Sequence, residues 1–339
     1  MVGRTIGVTV APYCRSVPST RTVGVTFPRE HPAGAVVDIA RRAEDGGLDR
    51  LWVIEDCFFT AGVSLAAAAL TATEALGVGI GIMPAVARNP AVTAMEIATL
   101  AGLAPGRFTA GIGHGVQEWM EQMGARPASP LTALEETITV VRRLLRGERI
   151  DLEGSTVSMR GVALEAPPDP VPPVLAGVRQ RRSLQMAGRV ADGLVLAEGT
   201  GPATVRHAIE TAGRGGDDDF HVTVFTPLAV LPAGREARRE MAGFVRMLVE
   251  SGNPGIASHP DLERVQAAVA RGDDAVAELP VEVWRELGAI GDLDDAIAHV
   301  ESLHEAGADD VALFLAPDDL DLAVAQVEQA AAIRRAVRR

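Results

Sequence analysis

GVGIGIMPAVARNPAVTAMEIATLAGLAPGRFTAGIGHG, residues 77–115, contains the pattern that decides the fold. Short apolar runs at its two ends predict buried strands over Val78–Met83 and Phe108–Gly113. The residues between them, Pro90–Leu103, have the opening proline and the apolar content of a packed helix. A strand, a helix and a second strand in this order predict a βαβ unit with parallel strands.

The same alternation continues in both directions along the chain of 339 residues. It predicts eight strands, which are Thr22–Phe27, Leu48–Ile54, Val78–Met83, Phe108–Gly113, Pro173–Gly177, Gly193–Ala197, His221–Leu231 and Asp310–Ala316. The main helices predicted around them are Ala33–Asp45, Pro90–Leu103, Leu131–Arg146, Gln180–Val190, Pro202–Thr211, Asp294–Ala306 and Leu320–Val337. A doubly wound sheet shares the alternation, but eight units in one chain favour an α/β fold of the (β/α)8 TIM-barrel type.

We expect one domain over residues 1–339, because such barrels reach this length when they carry insertions. Two parts fit the eightfold pattern less well. Residues 1–21 form an N-terminal extension of uncertain role that contains a further strand-like run, Thr5–Val10. Residues 232–290 are mostly helical with a Gly/Pro break at 252–260, which predicts a helical insertion between the seventh and eighth strands.

Charge and cysteine content exclude several classes of protein. The formal net charge of -13 disfavours binding along nucleic acid, since the basic residues are not strongly segregated. The two cysteines, Cys14 and Cys57, form neither a zinc pattern nor a disulfide framework, which fits a reducing cytoplasm. Pro12 and Arg15 interrupt any signal-peptide core near the N-terminus.

One stretch, residues 61–87, is apolar enough to raise the question of a membrane span. Thr71, Glu74 and Pro84 interrupt it, and glycines divide it. We therefore interpret it as a buried helix followed by a barrel strand, and we expect no association with a membrane.

In a TIM barrel the active site lies at the carboxyl ends of the strands, so the residues that end each run are the candidates. Gly111-Ile112-Gly113-His114-Gly115 follows a strand and precedes a predicted helix. Its glycines would let backbone amides approach an anion or a flat ring. The spacing matches neither a Rossmann fingerprint nor a Walker loop, and a tight turn without a ligand explains it equally well.

A second strand end, Ala176-Gly177-Val178-Arg179-Gln180-Arg181-Arg182, opens a predicted helix. Exposed amides and three arginines there can hold a phosphate, although a solvated basic helix face is the alternative.

The third candidate is the acidic pair Glu55 and Asp56, which follows the second strand and precedes Cys57, Phe58 and Phe59. Adjacent carboxylates near an apolar rim can differ in proton affinity and act as acid and base, although ordinary loop acids are commoner. Cys57 has no evident activating base, so a buried bystander is the simpler interpretation. Among the seven histidines only His114 lies at a favoured strand end.

Five segments together resemble a known family, the luciferase-like proteins, and especially the F420-dependent oxidoreductases similar to methylenetetrahydromethanopterin reductase. The resemblance orders most of residues 22–200. The segments are AEDGGLDRLWVIED (43–56), GIGIMPAVARNPAVTAMEIATL (79–100), APGRFTAGIGHG (104–115), PLTALEETITVVRRLLRGE (130–148) and PPVLAGVRQRRSLQMAGRVADG (172–193).

The resemblance implies a luciferase-like barrel with an insertion after the seventh strand, and a deazaflavin or FMN across the strand ends. It implies a cis peptide at Gly81-Ile82 behind the tricyclic ring. Where the family has a histidine this chain has Asp56, and His114 stands where some relatives carry an acid, so these roles can be exchanged. Gln180-Arg181 replaces a common Gly-Pro, which puts the detail of the phosphate contact in doubt. The implied cofactor-binding residues are Gly81, Ile82, Gly111, Gly113, Gly115, Ala176, Gly177, Gln180 and Arg182.

The sequence thus predicts a cytoplasmic oxidoreductase that uses coenzyme F420 and transfers hydride between the deazaflavin C5 and a small organic substrate. Asp56, His114 and Glu55 are the candidate catalytic residues, and no metal site is predicted. Two alternatives stay open, an FMN-dependent two-component monooxygenase of the same superfamily and a barrel that binds a cofactor without catalysis. The family implies a homodimer; Met95, Ile97 and Leu100 can contribute to its surface, although core packing also explains them.

Overall fold

The computed structural model describes residues 21–215 and 219–337, and its centre is a closed ring of eight parallel strands. Each strand pairs with the next in chain order, and the pairing of Asp310–Phe314 with Thr22–Phe27 closes the ring. The predicted TIM barrel is therefore confirmed. Its strands are β1 Thr22–Phe27, β2 Arg50–Val53, β3 Gly77–Pro84, β4 Phe108–Gly113, β7 Val174–Gly177, β8 Gly193–Leu196, β9 His221–Val230 and β11 Asp310–Phe314.

The helices lie around this ring and begin at recognisable caps. Asn89 accepts a hydrogen bond from the Ala91 amide before Pro90, and Asp292 forms a capping box with Asp295. The helices are α1 Ala35–Asp45, α2 Gly62–Ala72, α3 Pro90–Leu103, α4 Gln117–Gln122, α5 Pro130–Leu145, α6 Arg181–Val190, α7 Pro202–Ala212, α8 Gly234–Glu250, α9 Leu262–Val269, α10 Asp273–Ala277, α11 Val281–Trp284, α12 Leu293–Glu305 and α13 Leu320–Val337.

Three short strands lie outside the predicted set. Ile150–Glu153 and Ser158–Val162, here β5 and β6, form an antiparallel hairpin between α5 and β7. Its turn is held by the Glu136 carboxylate, which accepts hydrogen bonds from the backbone amides of residues 155–157. Ala289–Gly291, or β10, pairs with the carboxyl end of β9, so the expected helical stretch 232–290 ends in a strand.

The segment between β9 and β10 contains α8 to α11 and has its own apolar core around Trp284, Leu248 and Val245. The strand-like run Thr5–Val10 lies outside the described residues. The apolar stretch 61–87 forms α2 and β3. No helix in the described part of the chain is long and apolar enough to cross a membrane.

The interior of the ring is filled toward the amino ends of its strands. The Trp52 indole donates a hydrogen bond to the fully buried Asp310 carboxylate at 2.8 Å, and Arg50 donates to Thr109 at 2.7 Å. Above this polar layer Trp52 and Phe225 pack edge to face with ring centroids 5.3 Å apart. Because this end is closed, open space for a ligand lies at the carboxyl ends.

Candidate active site

A bulge in β3 forms the floor of the carboxyl-end opening. The register with β4 shifts between Ile80 and Met83, and the Gly81-Ile82 peptide in this bulge is cis, as the resemblance implied. The half-buried Ile82 side chain caps the inner apolar cluster of Trp52, Phe225 and their neighbours. Ile82 thus places an apolar surface at the centre of the barrel mouth.

The glycines at the neighbouring strand tips make room for this isoleucine. A Cβ atom at Gly113 would lie 2.5 Å from Ile82 Cδ1, and one at Gly177 would lie 2.5 Å from Ile82 Cγ2. Gly111 also faces Ile82, at 3.1 Å, and Gly81 faces Phe225 at 2.5 Å. Gly111, Gly113 and Gly177 thus leave room for Ile82 and Gly81 leaves room for Phe225, and any cofactor contact would be made through the surface that results.

Two further residues of the predicted cofactor set have other surroundings. Gly115 has φ of +67°, in the left-handed region that favours glycine, and turns the chain after β4 toward α4. The buried Ala176 side chain lies in the layer between the barrel and its helices, so only its backbone is open to a ligand role.

Asp56 lies at the mouth in an ion pair with Arg29, which follows β1. Arg29 also pairs with Glu30 at 2.9 Å, and its guanidinium lies 4.5 Å from the centroid of the Phe59 ring. Burial raises the pKa of the Asp56 carboxyl above its usual range; Arg29 opposes this rise, and the negative charges of Glu198 and Glu30 add to it. The neighbours of Asp56 therefore determine the proton affinity of its carboxyl group.

Glu55, the adjacent candidate, has a different environment. Its buried carboxylate accepts two hydrogen bonds from Arg88, at 2.6 and 2.8 Å, and a third from the Gly62 amide at 2.9 Å. Arg88 is held in turn by Glu96 of α3 at 3.0 Å. This network joins the tip of β2 to α2 and α3, so these contacts favour a structural task for Glu55 over proton transfer.

His114 faces α5 and α6. Its Nδ1 donates to the Pro130 carbonyl at 3.3 Å, because a carbonyl oxygen only accepts, and its Nε2 is then free to accept from the Ser183 hydroxyl at 3.1 Å. Burial lowers the pKa of His114, so the imidazole is neutral near pH 7. This arrangement suits a polar anchor between β4 and α6 better than a proton donor.

A cleft of about 200 Å³ lies beside the tips of β7 and β8. Arg179, Gln180 and Arg181 line it, as do Pro254, Gly255, Ala257 and Ser258 of the insertion. Gln180 precedes α6 and makes no side-chain cap hydrogen bond, whereas the amino end of α7 is occupied by Glu286, which accepts from the Ala203 amide at 3.0 Å. Of the two described helices that begin beside this cleft, α6 therefore has the amino end that can receive an anion.

The sequence-based reasoning missed two charged residues at this mouth, Arg29 and Glu198. Arg29 pairs with Asp56, and Glu198, after β8, accepts a hydrogen bond from Arg179 at 3.0 Å. Arg179 also donates to Asn253 of the insertion at 3.1 Å. Arg29 and Glu198 both follow strand ends closely, so the strand-end rule would have found them. Arg181 and Arg182 are both exposed; Arg181 lines this cleft, and Arg182, which was predicted to bind the cofactor, lies next to it in the sequence.

Comparison with known sequences gives one family. Residues 10–310 match the luciferase-like monooxygenase family model. The chain is 28% identical over 175 residues to the 5,10-methylenetetrahydromethanopterin reductase of Methanolobus tindarius, covering 52% of this chain and 53% of that protein. It is 25% identical over 286 residues to the reductase of the same name from Archaeoglobus fulgidus, covering 79% and 86%. It is 30% identical over 176 residues to the F420-dependent glucose-6-phosphate dehydrogenase of Beutenbergia cavernae, covering 47% and 51%. The chain thus spans about half the length of the first and third of these relatives.

Solved structures share the fold. An F420-dependent secondary alcohol dehydrogenase in complex with an F420–acetone adduct superposes with a TM-score of 0.75 at 20% identity, covering 94% of this chain and all of that one (100%). The oxygenating constituent of the 3,6-diketocamphane monooxygenase of Pseudomonas putida, in complex with FMN, gives a TM-score of 0.70 at 16% identity, covering 93% and 98%. Since the family model covers most of the sequence, the chain belongs to the luciferase-like monooxygenase family.

Proposed function

We propose that this chain is an F420-dependent oxidoreductase that moves hydride between the deazaflavin and a carbon atom of a small organic substrate. The observation that carries the proposal is its sequence relationship, at 30% identity over 176 residues, with a dehydrogenase that is F420-dependent by name. Three features of the barrel mouth support the proposal: the apolar floor around Ile82, the cleft beside β7 and β8, and the carboxyl group of Asp56.

The floor fits a flat ring. Ile82 and the glycines around it give an apolar surface without protruding side chains at Gly113 and Gly177. A tricyclic ring would lie on this surface and bury apolar area at ~25 cal/mol per Å². The protein's part is to hold the ring in one orientation, since the cofactor supplies the hydride chemistry when it is bound.

The cleft fits the phosphate and the acidic tail. The open amino end of α6 and the guanidinium groups of Arg179 and Arg181 would receive anionic oxygens, and the amide hydrogens there point along the helix dipole. Arg179 keeps its place through Glu198 and Asn253, so it is pre-oriented before a ligand arrives.

Asp56 supplies the group for proton transfer. When an alcohol is oxidised, the carbon loses a hydride and the hydroxyl loses a proton, which the Asp56 carboxylate would accept; in the opposite direction the carboxylic acid returns it. The raised pKa brings this group closer to neutral pH than an ordinary aspartate, which favours both directions.

One alternative has a specific observation in its favour. The family is described as monooxygenases, and a structural neighbour is solved with FMN. Binding titrations of the purified chain with F420 and with FMN decide between the two, because both cofactors fluoresce. We expect F420 to bind and FMN to bind weakly. Binding of FMN without F420, with oxygen consumption once reduced flavin is supplied, would replace the proposal by the monooxygenase.

Two arginines of α6 give a matched pair of variants. Arg181 lines the cleft, whereas Arg189 lies in the last turn of the helix and pairs with Glu135. We expect Arg181→Ala to weaken F420 binding roughly tenfold, the effect of losing one charge-assisted hydrogen bond, and Arg189→Ala to leave it unchanged. Equal affinities of the two variants would remove the cleft from the cofactor site.

We further propose a single barrel domain that works as a cytoplasmic homodimer. Val92, Met95 and Leu103 of α3 are apolar and exposed, from 41% to 54%, and such a surface suits a second copy. Of the residues suggested by the sequence, Ile97 and Leu100 are buried in the core, so only Met95 remains on that surface. Light scattering of the native chain and of Met95→Glu tests this: a native monomer would refute it.

A further inference from the structure

Aromatic rings lie near Asp56, in the loop that follows it and on α4. Phe58 is 66% exposed and Phe59 is 52% exposed, and the half-buried Trp119 of α4 approaches from the tip of β4. The Arg29 guanidinium lies 4.5 Å from the Phe59 ring centroid and 5.8 Å from that of Trp119, so it links these two rings. These residues, Phe58, Phe59, Trp119 and Arg29, form what we name the aromatic rim. Large exposed apolar side chains beside a polar site mark a binding surface.

The charges beside this rim are already paired. Arg29 is held between Asp56 and Glu30, so its positive charge is balanced by two carboxylates. Arg179 and Arg181 line the cleft that is assigned to the cofactor. Of the arginines described at the mouth, Arg29 is therefore the one that contacts the rings of the rim, and it has two carboxylate partners.

We propose that the aromatic rim is the substrate subsite and that it takes an uncharged substrate with a flat apolar or aromatic body, while phosphorylated and carboxylated compounds are disfavoured. This inference rests on the proposed function, because it assigns the substrate side of the same mouth. The cofactor would occupy the floor and the cleft, and the substrate would lie against Phe59 and Trp119 beside the Arg29–Asp56 pair.

The preference follows from the charge that each ligand meets at the rim. The single positive charge of Arg29 is opposed by the carboxylates of Glu30 and Asp56, and Glu198 adds negative charge nearby, so an anion at Arg29 would lie beside several like charges. Like charges brought together in a partly buried site are costly. A neutral ring instead stacks on Phe59 and Trp119 and leaves the ion pairs intact, so aromatic contact adds to the gain from the buried area.

The experiment has two stages, so that failure of the function and failure of this inference are separable. F420 binding to the native chain is measured first, and its absence refutes the proposed function. Acetophenone, its anionic counterpart 4-acetylbenzoate and glucose 6-phosphate are then titrated by calorimetry into the F420-loaded protein. We expect acetophenone to bind roughly tenfold more tightly than either anion. Equal or tighter binding of an anion, or no binding of acetophenone, overturns the inference.

Variants test which residues produce the preference. Trp119→Ala should weaken acetophenone binding about tenfold and leave F420 binding unchanged, and Met247→Ala, which removes another exposed apolar side chain on α8, should change neither. Loss of F420 binding in Trp119→Ala would assign the ring to the cofactor and refute the proposal.

The double variant Glu30→Gln/Asp56→Asn frees Arg29, so it should bind 4-acetylbenzoate about tenfold more tightly than the native chain. An unchanged affinity for this anion would show that pairing of Arg29 does not cause the selectivity.

Discussion

Ile82 offers a direct test of how the floor of the site is built, through the variant Gly177→Ala. The added Cβ would lie 2.5 Å from Ile82 Cγ2, while the next nearest atoms are 3.4 and 3.5 Å away. One atom therefore causes the conflict, and it belongs to a β-branched side chain that cannot rotate away freely. Overpacking of this kind costs ~1–3 kcal/mol of unfolding free energy.

Replacement of Ile82 distinguishes this contact from a general effect. Leucine has no Cγ2 methyl, so Ile82→Leu should restore most of the stability lost in Gly177→Ala. Valine keeps both γ carbons, so Ile82→Val should restore little. The volume-conserving change to leucine costs under ~1.5 kcal/mol by itself, and a double-mutant cycle removes this contribution.

Urea unfolding followed by circular dichroism measures each variant, and F420 fluorescence reports the state of the floor. Gly102→Ala is the control, because nothing lies within 4 Å of the added atom and the position is in α3, where alanine is preferred by ~0.5–1 kcal/mol. A Gly177→Ala variant as stable as the native chain, or equal rescue by leucine and valine, would refute the packing argument.

Four further predictions concern buried or paired charges. Glu55→Gln should lower the unfolding free energy by ~1–3 kcal/mol, because a neutral amide replaces the buried carboxylate that accepts from Arg88 while Glu96 still pairs with Arg88, and urea unfolding measures this. Asp56→Asn should lower turnover at least ~100-fold with F420 affinity unchanged. The native rate of alcohol oxidation should rise with pH through a pKa above the usual aspartate range, since the carboxylate is the reactive form and its pKa is raised. His299 is fully buried with its pKa lowered from 6.5 to about 4, so the chain should lose stability as pH falls from 6.5 toward 4, by ~3 kcal/mol from this group.

Each of these has a matched control or a contrary outcome. Glu96→Gln, which leaves the Glu55 pair intact, should cost less than Glu55→Gln; the reverse order would contradict the assignment. Full turnover in Asp56→Asn would move proton transfer to another group. His299→Gln should flatten the dependence of stability on pH between 6.5 and 4, because the native loss arises from a histidine that is neutral when folded and protonated when unfolded. A slope as steep as in the native chain would show that other groups cause it.

The fold was predictable because the barrel strands carry their signal locally. Phe108–Gly113 and Thr22–Phe27 were predicted to the residue, since buried parallel strands are short apolar runs. The hairpin β5–β6 was missed because its strands alternate apolar and charged residues around a turn without a strong dipeptide signal, and a carboxylate on α5 holds that turn. The strand Ala289–Gly291 is too short to have a period of its own and exists because β9 extends beyond the ring to pair with it.

The site was less predictable, because its decisive contacts join distant parts of the chain. Arg29 and Asp56 are 27 residues apart, and Arg88 and Glu55 are 33 apart. Position at a strand end was readable from the sequence, and it found Asp56, His114 and the α6 start. The partner of each side chain depends on how the neighbouring strand tips are staggered around the ring. No local sequence pattern predicts this stagger.

Glu55 and Asp56 show how strongly the partners of a side chain determine its role. Both carboxylates follow β2 and are neighbours in the sequence, yet they face opposite sides of the ring wall. Glu55 contacts α2 and Arg88, whereas Asp56 contacts Arg29 at the open mouth. Glu55 accepts three hydrogen bonds and holds its negative charge in a closed network, which fixes the loop that carries Asp56. Asp56 has one cation, nearby acids and partial burial, so a small change in its surroundings shifts its protonation. Glu55 therefore positions Asp56, whose protonation responds to its surroundings. Exchanging the two residues in a Glu55→Asp/Asp56→Glu variant should impair folding more than chemistry, because an aspartate side chain in place of Glu55 is too short to reach Arg88 and Gly62 together.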